Sequence, residues 1–248
     1  MKVKAILVAG GHGSRLYPFT HYSQKTLLPL YDRPVIDYAL GTIRRAGIKD
    51  ITIISNQFIN QIAKHVGVGV PGEKIHYVVE EEPKGVSEAL SLARPHNENC
   101  RLLIYFSDNI TTVELREYVE FFQDAEKNPG CVLLSREEKN PQAFGVVQFD
   151  DAGNLKDIFE KPENPPSNVA IGGIYLYDER FWDFMDICQK EQLADFSITE
   201  INRKYVKTGD IKLLNIGKET WIDCGTPDSL LEASIMAKEG KLNPNPHR

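Results

Sequence analysis

The chain has 248 residues, of which 42% are hydrophobic and 26% charged, so it is long and apolar enough to bury a globular core. Its 29 Lys and Arg residues against 35 Asp and Glu residues give a net charge of −6. This balance disfavours a nucleic-acid coat or a protein held on an anionic membrane, although a local basic pocket for a small phosphate ligand is compatible with it. We therefore expect small-molecule partners, with no nucleic acid and no membrane.

The cysteines and the first apolar run bear on the compartment. Residues 5–9 are apolar, but this run is too short for a signal-peptide core and predicts a buried strand instead. The four cysteines are widely spaced, with no Cys-x-x-Cys pair and no histidines at metal-ligand spacing. Small buried hydrophobes in a reducing cytoplasm account for them best. The sequence therefore predicts a cytoplasmic protein, and it contains no apolar run of membrane-spanning length.

Short apolar runs alternate with helical patterns through the first half of the chain. Strands are predicted at 3–8, 51–55, 75–80 and 101–106, and helices at 34–46, 57–66 and 86–93. This β-α-β-α order predicts parallel strands with helices on both faces of the sheet. Because such sheets bind ligands at the carboxyl ends of their strands, residues 10–20 and 107–109 should converge on one site.

The second half of the chain is less regular. Strands are predicted at 131–135, 145–149, 155–160, 169–177 and 212–216, with hairpin chemistry at 150–153 and a Pro-rich loop at 161–167. Helices are predicted at 181–191, 198–208 and 227–238. No linker divides the chain, so we expect one domain over 1–241 and a frayed tail over 242–248.

A glycine-rich loop follows the first predicted strand, where residues 9–16 read Ala-Gly-Gly-His-Gly-Ser-Arg-Leu. Its glycines let the backbone approach a ligand and point N–H groups at it, and a helix beginning behind the turn would add a dipole favourable to phosphate. The dinucleotide fingerprint of an oxidoreductase fails here because Leu16 replaces its third glycine, and the chain has no P-loop string.

Two basic residues extend this loop. Arg15 and Lys25 lie ten residues apart in an otherwise apolar and Pro-rich segment. An Arg forks onto phosphate oxygens and a Lys supplies a compact charge. Together they suit a triphosphate whose α-phosphorus is attacked by another phosphate, since two anions approach each other only when their charge is offset.

These motifs resemble those of the sugar nucleotidyltransferase family. The resemblance rests on residues 7–18 and on Lys-Thr-Leu-Leu-Pro at 25–29, and it continues in segments at 31–38, 46–48, 144–147, 160–162, 198–203 and 221–226. Within the family these segments are most similar to the thymidylyltransferases that act on glucose 1-phosphate. The resemblance implies an α/β fold with a Rossmann-like, mostly parallel mixed sheet flanked by helices. It also implies a nucleotide-binding half over about 1–130 and an α+β sugar-binding half over about 131–241.

The resemblance further implies a reaction and its residues. A nucleotidyl group would pass from a nucleoside triphosphate to a sugar 1-phosphate by one in-line displacement, with dTTP and α-D-glucose 1-phosphate as the expected pair and no nucleophilic Cys or Ser. Mg²⁺ is the implied cofactor, held by Asp108 and Asp223. The implied catalytic residues are Arg15, Lys25 and Asp108. The implied nucleotide contacts are Ala9, Gly10, Gly11, Gly13, Ser14, Arg15, Glu80 and Gly85. The implied sugar-phosphate contacts are Gly145, Glu160, Lys161 and Tyr175.

Four departures from the family pattern leave the substrates open. Glu80 stands where the thymidylyltransferases have a Gln that reads the pyrimidine edge. An ionised carboxylate only accepts hydrogen bonds, so it suits an amino-bearing edge, as in cytosine or guanine, unless it is protonated or turned away. Ser107 replaces a Gly and is expected to add a side chain beside the metal, Gly172 removes a hydroxyl near the sugar, and residues 194–197 read Ala-Asp-Phe-Ser where the family has Gly-Glu-Leu-Glu.

Several alternatives follow from these departures. Cytidylyl, guanylyl or uridylyl transfer to another sugar 1-phosphate stays open, as does a solvated acidic turn at Glu80 with the base recognised by backbone atoms. An inactive, regulatory homologue that only binds nucleotide-sugars is the non-enzyme alternative, disfavoured because the basic and acidic site residues are all present. Tetrameric members of the family continue with more helices beyond the position of Lys241, so a dimer or a tetramer and any allosteric site stay open.

Overall fold

The computed structural model describes residues 2–82, 84–124, 126–191 and 197–242. The helices are α1 (Val35–Arg45), α2 (Ile59–Val66), α3 (Val86–Asn97), α4 (Leu115–Gln123), α5 (Phe181–Lys190), α6 (Ile198–Thr208) and α7 (Pro227–Lys238). The strands are β1 (Val3–Val8), β2 (Pro29–Leu30), β3 (Arg33–Pro34), β4 (Asp50–Ser55), β5 (Lys74–Val79), β6 (Arg101–Phe106), β7 (Asn109–Thr111), β8 (Cys131–Glu137), β9 (Gly145–Phe149), β10 (Leu155–Glu160), β11 (Val169–Tyr177), β12 (Ile211–Asn215) and β13 (Trp221–Asp223).

A nine-stranded mixed sheet organises the molecule, and seven of its strands follow the order β10-β9-β11-β6-β1-β4-β5. The other two branch from β11, because β8 pairs with β11 and β12 pairs with β8. Strand β1 lies between β4 and β6 and runs parallel to both, with Val8 in register with Ile54 on one side and Phe106 on the other. Because these strands end together, the residues that follow them meet at one edge of the sheet. This edge carries the candidate site.

The antiparallel pairing is concentrated in the second half of the chain. Strand β11 runs antiparallel to β6, β8 and β9, and β9 and β10 form a hairpin. In that hairpin Asp150 accepts hydrogen bonds from the backbone N–H groups of Ala152 and Asn154, and Gly153 has a φ of 81°. The mixed sheet with flanking helices agrees with the sequence prediction.

Helices cover both faces of the sheet. On one face, the apolar side of α1 (Ile36, Leu40 and Ile43) packs in a buried cluster with residues of β1 and β4. On the other face, α3, α5 and α6 contribute to a second cluster around β6 and β11. Strands buried on both faces read as continuous apolar runs, which is why their bounds could be predicted closely. None of the helices in the described part of the chain is both long and apolar enough to cross a membrane.

Some elements differ from the prediction. Helix α4 was not predicted, although its buried residues Leu115, Val119 and Phe122 follow a helical spacing. Helix α3 continues past the predicted end at residue 93 because Pro95 lies in its last turn, where few backbone hydrogen bonds are lost. Of the predicted frayed tail, Leu242 is buried against the cluster around α7, and residues 243–248 lie outside the described residues.

Candidate active site

The glycine-rich loop leaves the carboxyl end of β1. Gly11 and Gly13 have φ values of 86° and 60°, in the left-handed region that glycine adopts without steric cost. Ala9, just before them, is buried and its backbone groups are already engaged. Its N–H donates to the carbonyl of Ile54 at 2.8 Å, and its carbonyl accepts from the side-chain amide of Gln24. Ala9 therefore anchors the loop, and Gly11 after it is exposed.

No α-helix begins directly behind the glycines. A single 3-10 turn, Ser14–Leu16, follows Gly13, and three residues cannot sum the dipoles of several helical turns. Ser14 and Arg15 are exposed. The Arg15 guanidinium lies 3.9 Å from Oδ2 of Asp223. The loop thus offers backbone N–H groups and one exposed positive charge, without the N-terminus of an α-helix.

Lys25 and Asp108 form an ion pair at the centre of the site. Lys25 begins a 3-10 turn, and its Nζ donates to Oδ2 of Asp108, which follows β6. The side chains are only 18% and 14% exposed, respectively. Burial alone would lower the pKa of Lys25, but Asp108 raises it above its usual value. Burial alone would raise the pKa of Asp108, but Lys25 and Asn109 hold it below its usual value. Both groups are therefore charged at neutral pH.

A two-stranded ribbon brings the second carboxylate to the first. Strands β7 and β13 are antiparallel, with Asp223 in register with Asn109, and the N–H of Cys224 donates to the carbonyl of Asp108 at 2.8 Å. Burial and the nearby charge of Asp108 raise the pKa of Asp223. Within the described residues, Oδ1 of Asp223 is buried without a hydrogen-bond partner. A bound cation would satisfy this oxygen.

The donor set fits one kind of metal ion. In the part of the chain that the structure describes, no group of three or more His, Cys, Asp or Glu side chains is placed to hold a metal. Two carboxylates, with further positions for water and phosphate oxygens, suit Mg²⁺, which seldom occupies an all-protein cage. Asp108 and the unpartnered oxygen of Asp223 are the residues that would hold it.

A cavity of about 210 Å³ lies on the side of β5 and α3. It is lined by the glycine-rich loop and by four other predicted site residues: Glu80, Gly85, Lys25 and Asp108. Glu80 is 3% exposed, and burial raises the pKa of its carboxyl group. Its Oε2 lies so close to Gly10 that a Cβ built there would be 2.9 Å away. A side chain at residue 10 would therefore have to displace the end of the Glu80 side chain.

A second cavity, of about 220 Å³, lies on the side of β10 and β11 and contains all four predicted sugar-phosphate residues: Gly145, Glu160, Lys161 and Tyr175. Asp108 lines both cavities, together with Val86 and Phe106, and Asp223 lines the second. The two cavities therefore meet at the ion pair. Gly13, Ser14 and Arg15 line neither cavity, and of these three only Arg15 reaches a carboxylate of the site.

The second cavity has a fixed frame. Thr199 donates from its hydroxyl to Oε2 of Glu160 at 2.5 Å. Lys161 has a φ of 43°, uncommon for a side chain of its size, and its N–H donates to the carbonyl of Phe144 at 2.9 Å. A Cβ at Gly145 would lie 2.9 Å from Cγ1 of Ile171. The left-handed φ of Lys161 is the kind of backbone strain that clusters at functional sites.

Two of the departures from the family pattern have a structural outcome. Contrary to the prediction, the Ser107 hydroxyl does not enter the metal site. It is fully buried and donates to the carbonyl of Val8 at 3.0 Å. Gly172 lines the second cavity and packs directly against the indole of Trp221. Residues 194–196 of the fourth departure lie outside the described residues.

Several supporting residues were not predicted from the sequence. They are Gln24, which holds the loop, Thr199, which holds Glu160, and Asn109 and Trp221 beside Asp108. Thr199 and Trp221 lie within segments that carry the family resemblance, but a polar side chain that bonds a distant segment leaves no periodic pattern that would reveal its role. Asn109 directly follows Asp108, and Trp221 precedes Asp223 by two residues.

Comparison with known proteins defines the class. The family model described as Nucleotidyl transferase matches residues 4–240. The chain therefore belongs to the nucleotidyl transferase family. It is 34% identical over 244 residues to glucose-1-phosphate thymidylyltransferase from Neisseria gonorrhoeae, covering 95% of this chain and 83% of that protein. It is 36% identical over 239 residues to the enzyme of the same name from Xanthomonas campestris, covering 93% of this chain and 79% of that protein.

A solved structure agrees with these relatives. A Bacillus anthracis protein assigned as a glucose-1-phosphate thymidylyltransferase, crystallised with sucrose, superposes with a TM-score of 0.89 at 32% identity and covers 96% of both chains. The sugar nucleotidyltransferase resemblance inferred from the motifs is thus confirmed.

Proposed function

We propose that the protein transfers a nucleotidyl group from a nucleoside triphosphate to a sugar 1-phosphate, giving an NDP-sugar and pyrophosphate. The observation that carries this proposal is the junction of two cavities at the Lys25–Asp108 pair. A donor in one cavity and an acceptor in the other would meet where opposite charges are already assembled. Such placement supplies the proximity and charge neutralisation on which phosphoryl-group transfer depends.

The position of each residue indicates which substrate it would bind. Arg15 and Lys25 would bind triphosphate oxygens, while Lys161 would hold the phosphate of the sugar 1-phosphate and Glu160 would accept hydrogen bonds from sugar hydroxyls. Because attack comes directly from the acceptor phosphate, no protein nucleophile is required. The four cysteines are buried, so none of them is exposed as a nucleophile.

Mg²⁺ is the proposed cofactor, with Asp108 and Asp223 as its protein ligands. When bound, it would neutralise charge on the nucleotide phosphates. The proposal is supported by the unpartnered Asp223 oxygen and by the choice of hard oxygen donors.

Two base specificities compete. The names of the relatives favour dTTP with α-D-glucose 1-phosphate as substrates. Glu80 favours cytosine or guanine, because a buried carboxylate at the wall of the nucleotide-side cavity accepts hydrogen bonds from an amino-bearing edge and, when ionised, donates none. Turnover with the four ribonucleoside triphosphates and dTTP, measured for wild type and Glu80→Gln, separates the two. A shift of the variant towards dTTP or UTP shows that Glu80 reads the base, and an unchanged preference removes it from base recognition.

Pyrophosphate release tests the reaction itself. Release should require both a triphosphate and a sugar 1-phosphate, and Asp108→Asn and Asp223→Asn should each abolish it. Asp151→Asn, in the exposed turn between β9 and β10, is the matched control and should keep wild-type turnover. Tight nucleotide binding without turnover for every substrate pair would favour the inactive regulatory homologue, and wild-type rates in either site variant would refute the metal assignment.

The cytoplasmic location and the dimeric or tetrameric state predicted from the sequence and the resemblance stay predictions. Sedimentation of the purified full chain at several concentrations would distinguish a monomer from either oligomer.

A further inference from the structure

A hydrogen-bonded pair lies directly behind the carboxylates. Asn109 and Trp221 are 8% and 5% exposed, and the indole Nε1 of Trp221 donates to Oδ1 of Asn109 at 2.6 Å. The Asn109 amide nitrogen in turn donates to Oδ1 of Asp108 at 2.9 Å and to the carbonyl of Phe106 at 3.2 Å. The chain of contacts therefore runs from Trp221 through Asn109 to Asp108.

The donor and acceptor roles in these hydrogen bonds follow from the groups involved. An indole N–H only donates, so the atom of Asn109 that faces it must be the carbonyl oxygen. The NH₂ group is then forced towards the two acceptors, the Asp108 carboxylate and the Phe106 carbonyl. Without the indole donor, the carbonyl oxygen of Asn109 loses its hydrogen bond, and the amide is held only by the two contacts of its NH₂ group.

The pair is closely packed on the side of β11. Strand β11 passes behind it with two consecutive glycines, and a Cβ at Gly172 would lie 1.8 Å from Cζ2 of Trp221. A Cβ at Gly173 would lie 2.6 Å from the amide nitrogen of Asn109. The carbonyl of Trp221 separately accepts from Arg136, so the backbone of β13 is held independently of the indole nitrogen.

We propose that Trp221 is a positioning residue that, through Asn109, fixes the orientation of Asp108 for divalent-cation binding. This inference rests on the proposed metal role of Asp108 and Asp223. Partners that orient a ligating carboxylate typically change metal affinity by about 10–100-fold when removed. Trp221 acts in this role without touching the cation, whereas Asn109 both contacts Asp108 and lines the second cavity.

Mn²⁺ binding to the nucleotide-free protein, followed by the electron paramagnetic resonance signal of the free ion, tests the proposal. Trp221→Phe keeps an aromatic ring and deletes the N–H, and we expect it to raise the Kd for Mn²⁺ about tenfold. Trp182→Phe is the matched control, because Trp182 is also buried and its indole donates to the carbonyl of Asn97 at 3.0 Å, on the other side of the sheet. The control should bind Mn²⁺ as wild type does.

A double-mutant cycle shows whether the effect passes through Asn109. In an Asn109→Ala background, Trp221→Phe should have little further effect on the Kd, since there is no amide left to orient. A wild-type Kd in folded Trp221→Phe, or an effect of equal size in both backgrounds, overturns the proposal. Wild-type Mn²⁺ binding by Asp108→Asn would instead overturn the metal assignment beneath it. Thermal unfolding of each variant identifies any loss of Mn²⁺ binding that comes from misfolding. If Trp221→Phe misfolds, the Kd of Asn109→Ala alone provides a second test of the contact between Asn109 and Asp108.

Discussion

Replacing Lys25 by Met removes the positive charge that pairs with the Asp108 carboxylate, while it keeps most of the volume of the lysine side chain. Both partners are largely shielded from water, with 18% and 14% of their side chains exposed. Removing one partner of such a pair leaves an uncompensated charge and typically costs about 3–5 kcal/mol of unfolding free energy. Methionine fills the space of the lysine stem, so little of the loss should come from a cavity.

The loss should depend on pH with a defined sign. In the wild type the pKa of Asp108 is lowered from its ordinary value of 3.8, so its contribution to stability is present above that value and is lost as the pH falls through the lowered one. In Lys25→Met, burial dominates and raises the pKa, so the ionised carboxylate destabilises the fold at neutral pH. Protonation relieves this penalty, and the difference between variant and wild type should therefore shrink as the pH falls.

Urea unfolding with EDTA, at neutral and mildly acidic pH, measures both effects. The double variant Lys25→Met/Asp108→Asn is the control, because removing both partners should restore most of the stability but none of the activity. A loss below about 1 kcal/mol at neutral pH, as for an exposed ion pair, would refute the reasoning. Failure of the double variant to recover would do the same.

Three further outcomes are expected. Thr199→Val removes the donor to Glu160 and should raise the KM for the sugar 1-phosphate about tenfold, equivalent to about 1.4 kcal/mol, with little change in the KM for the triphosphate; equal changes in both would contradict it. Gly172→Ala places a methyl group against Trp221 and should cost about 1–3 kcal/mol of stability, seen as a lower Tm, whereas an unchanged Tm would disprove the contact. The four thiols should resist Ellman's reagent until the protein unfolds, since all are buried and burial raises the pKa of Cys100 to about 11; fast labelling of the native protein would count against this.

The sequence predicts best where burial is simplest. Strands β1 and β6 lie inside the sheet, so their apolar runs mark their ends directly. Helices α6 and α7 are amphipathic or capped, and both begin and end where the sequence indicates. The convergence of the loop after β1 with Asp108 also follows from parallel strands ending at one edge.

The remaining features depend on contacts between distant segments. Strands β7 and β13 have three residues each, too few for a periodic pattern, yet their pairing brings Asp223 to Asp108. The same limit applies to Asn109 and Trp221, which are 112 residues apart in the chain. Ser107 shows the converse case, because a motif places it beside the metal site, but its hydroxyl donates into the sheet instead.

Product analysis of one reaction mixture tests the central claim most directly. The purified protein, Mg²⁺, a nucleoside triphosphate and α-D-glucose 1-phosphate are incubated, and the products are separated and identified by mass, with each triphosphate and other sugar 1-phosphates tried in turn. Two cavities that meet at one ion pair predict an NDP-sugar and pyrophosphate in equal amounts, with neither formed when the sugar 1-phosphate is omitted. Pyrophosphate without the sugar phosphate, or no NDP-sugar from any pair despite bound nucleotide, would contradict the assignment.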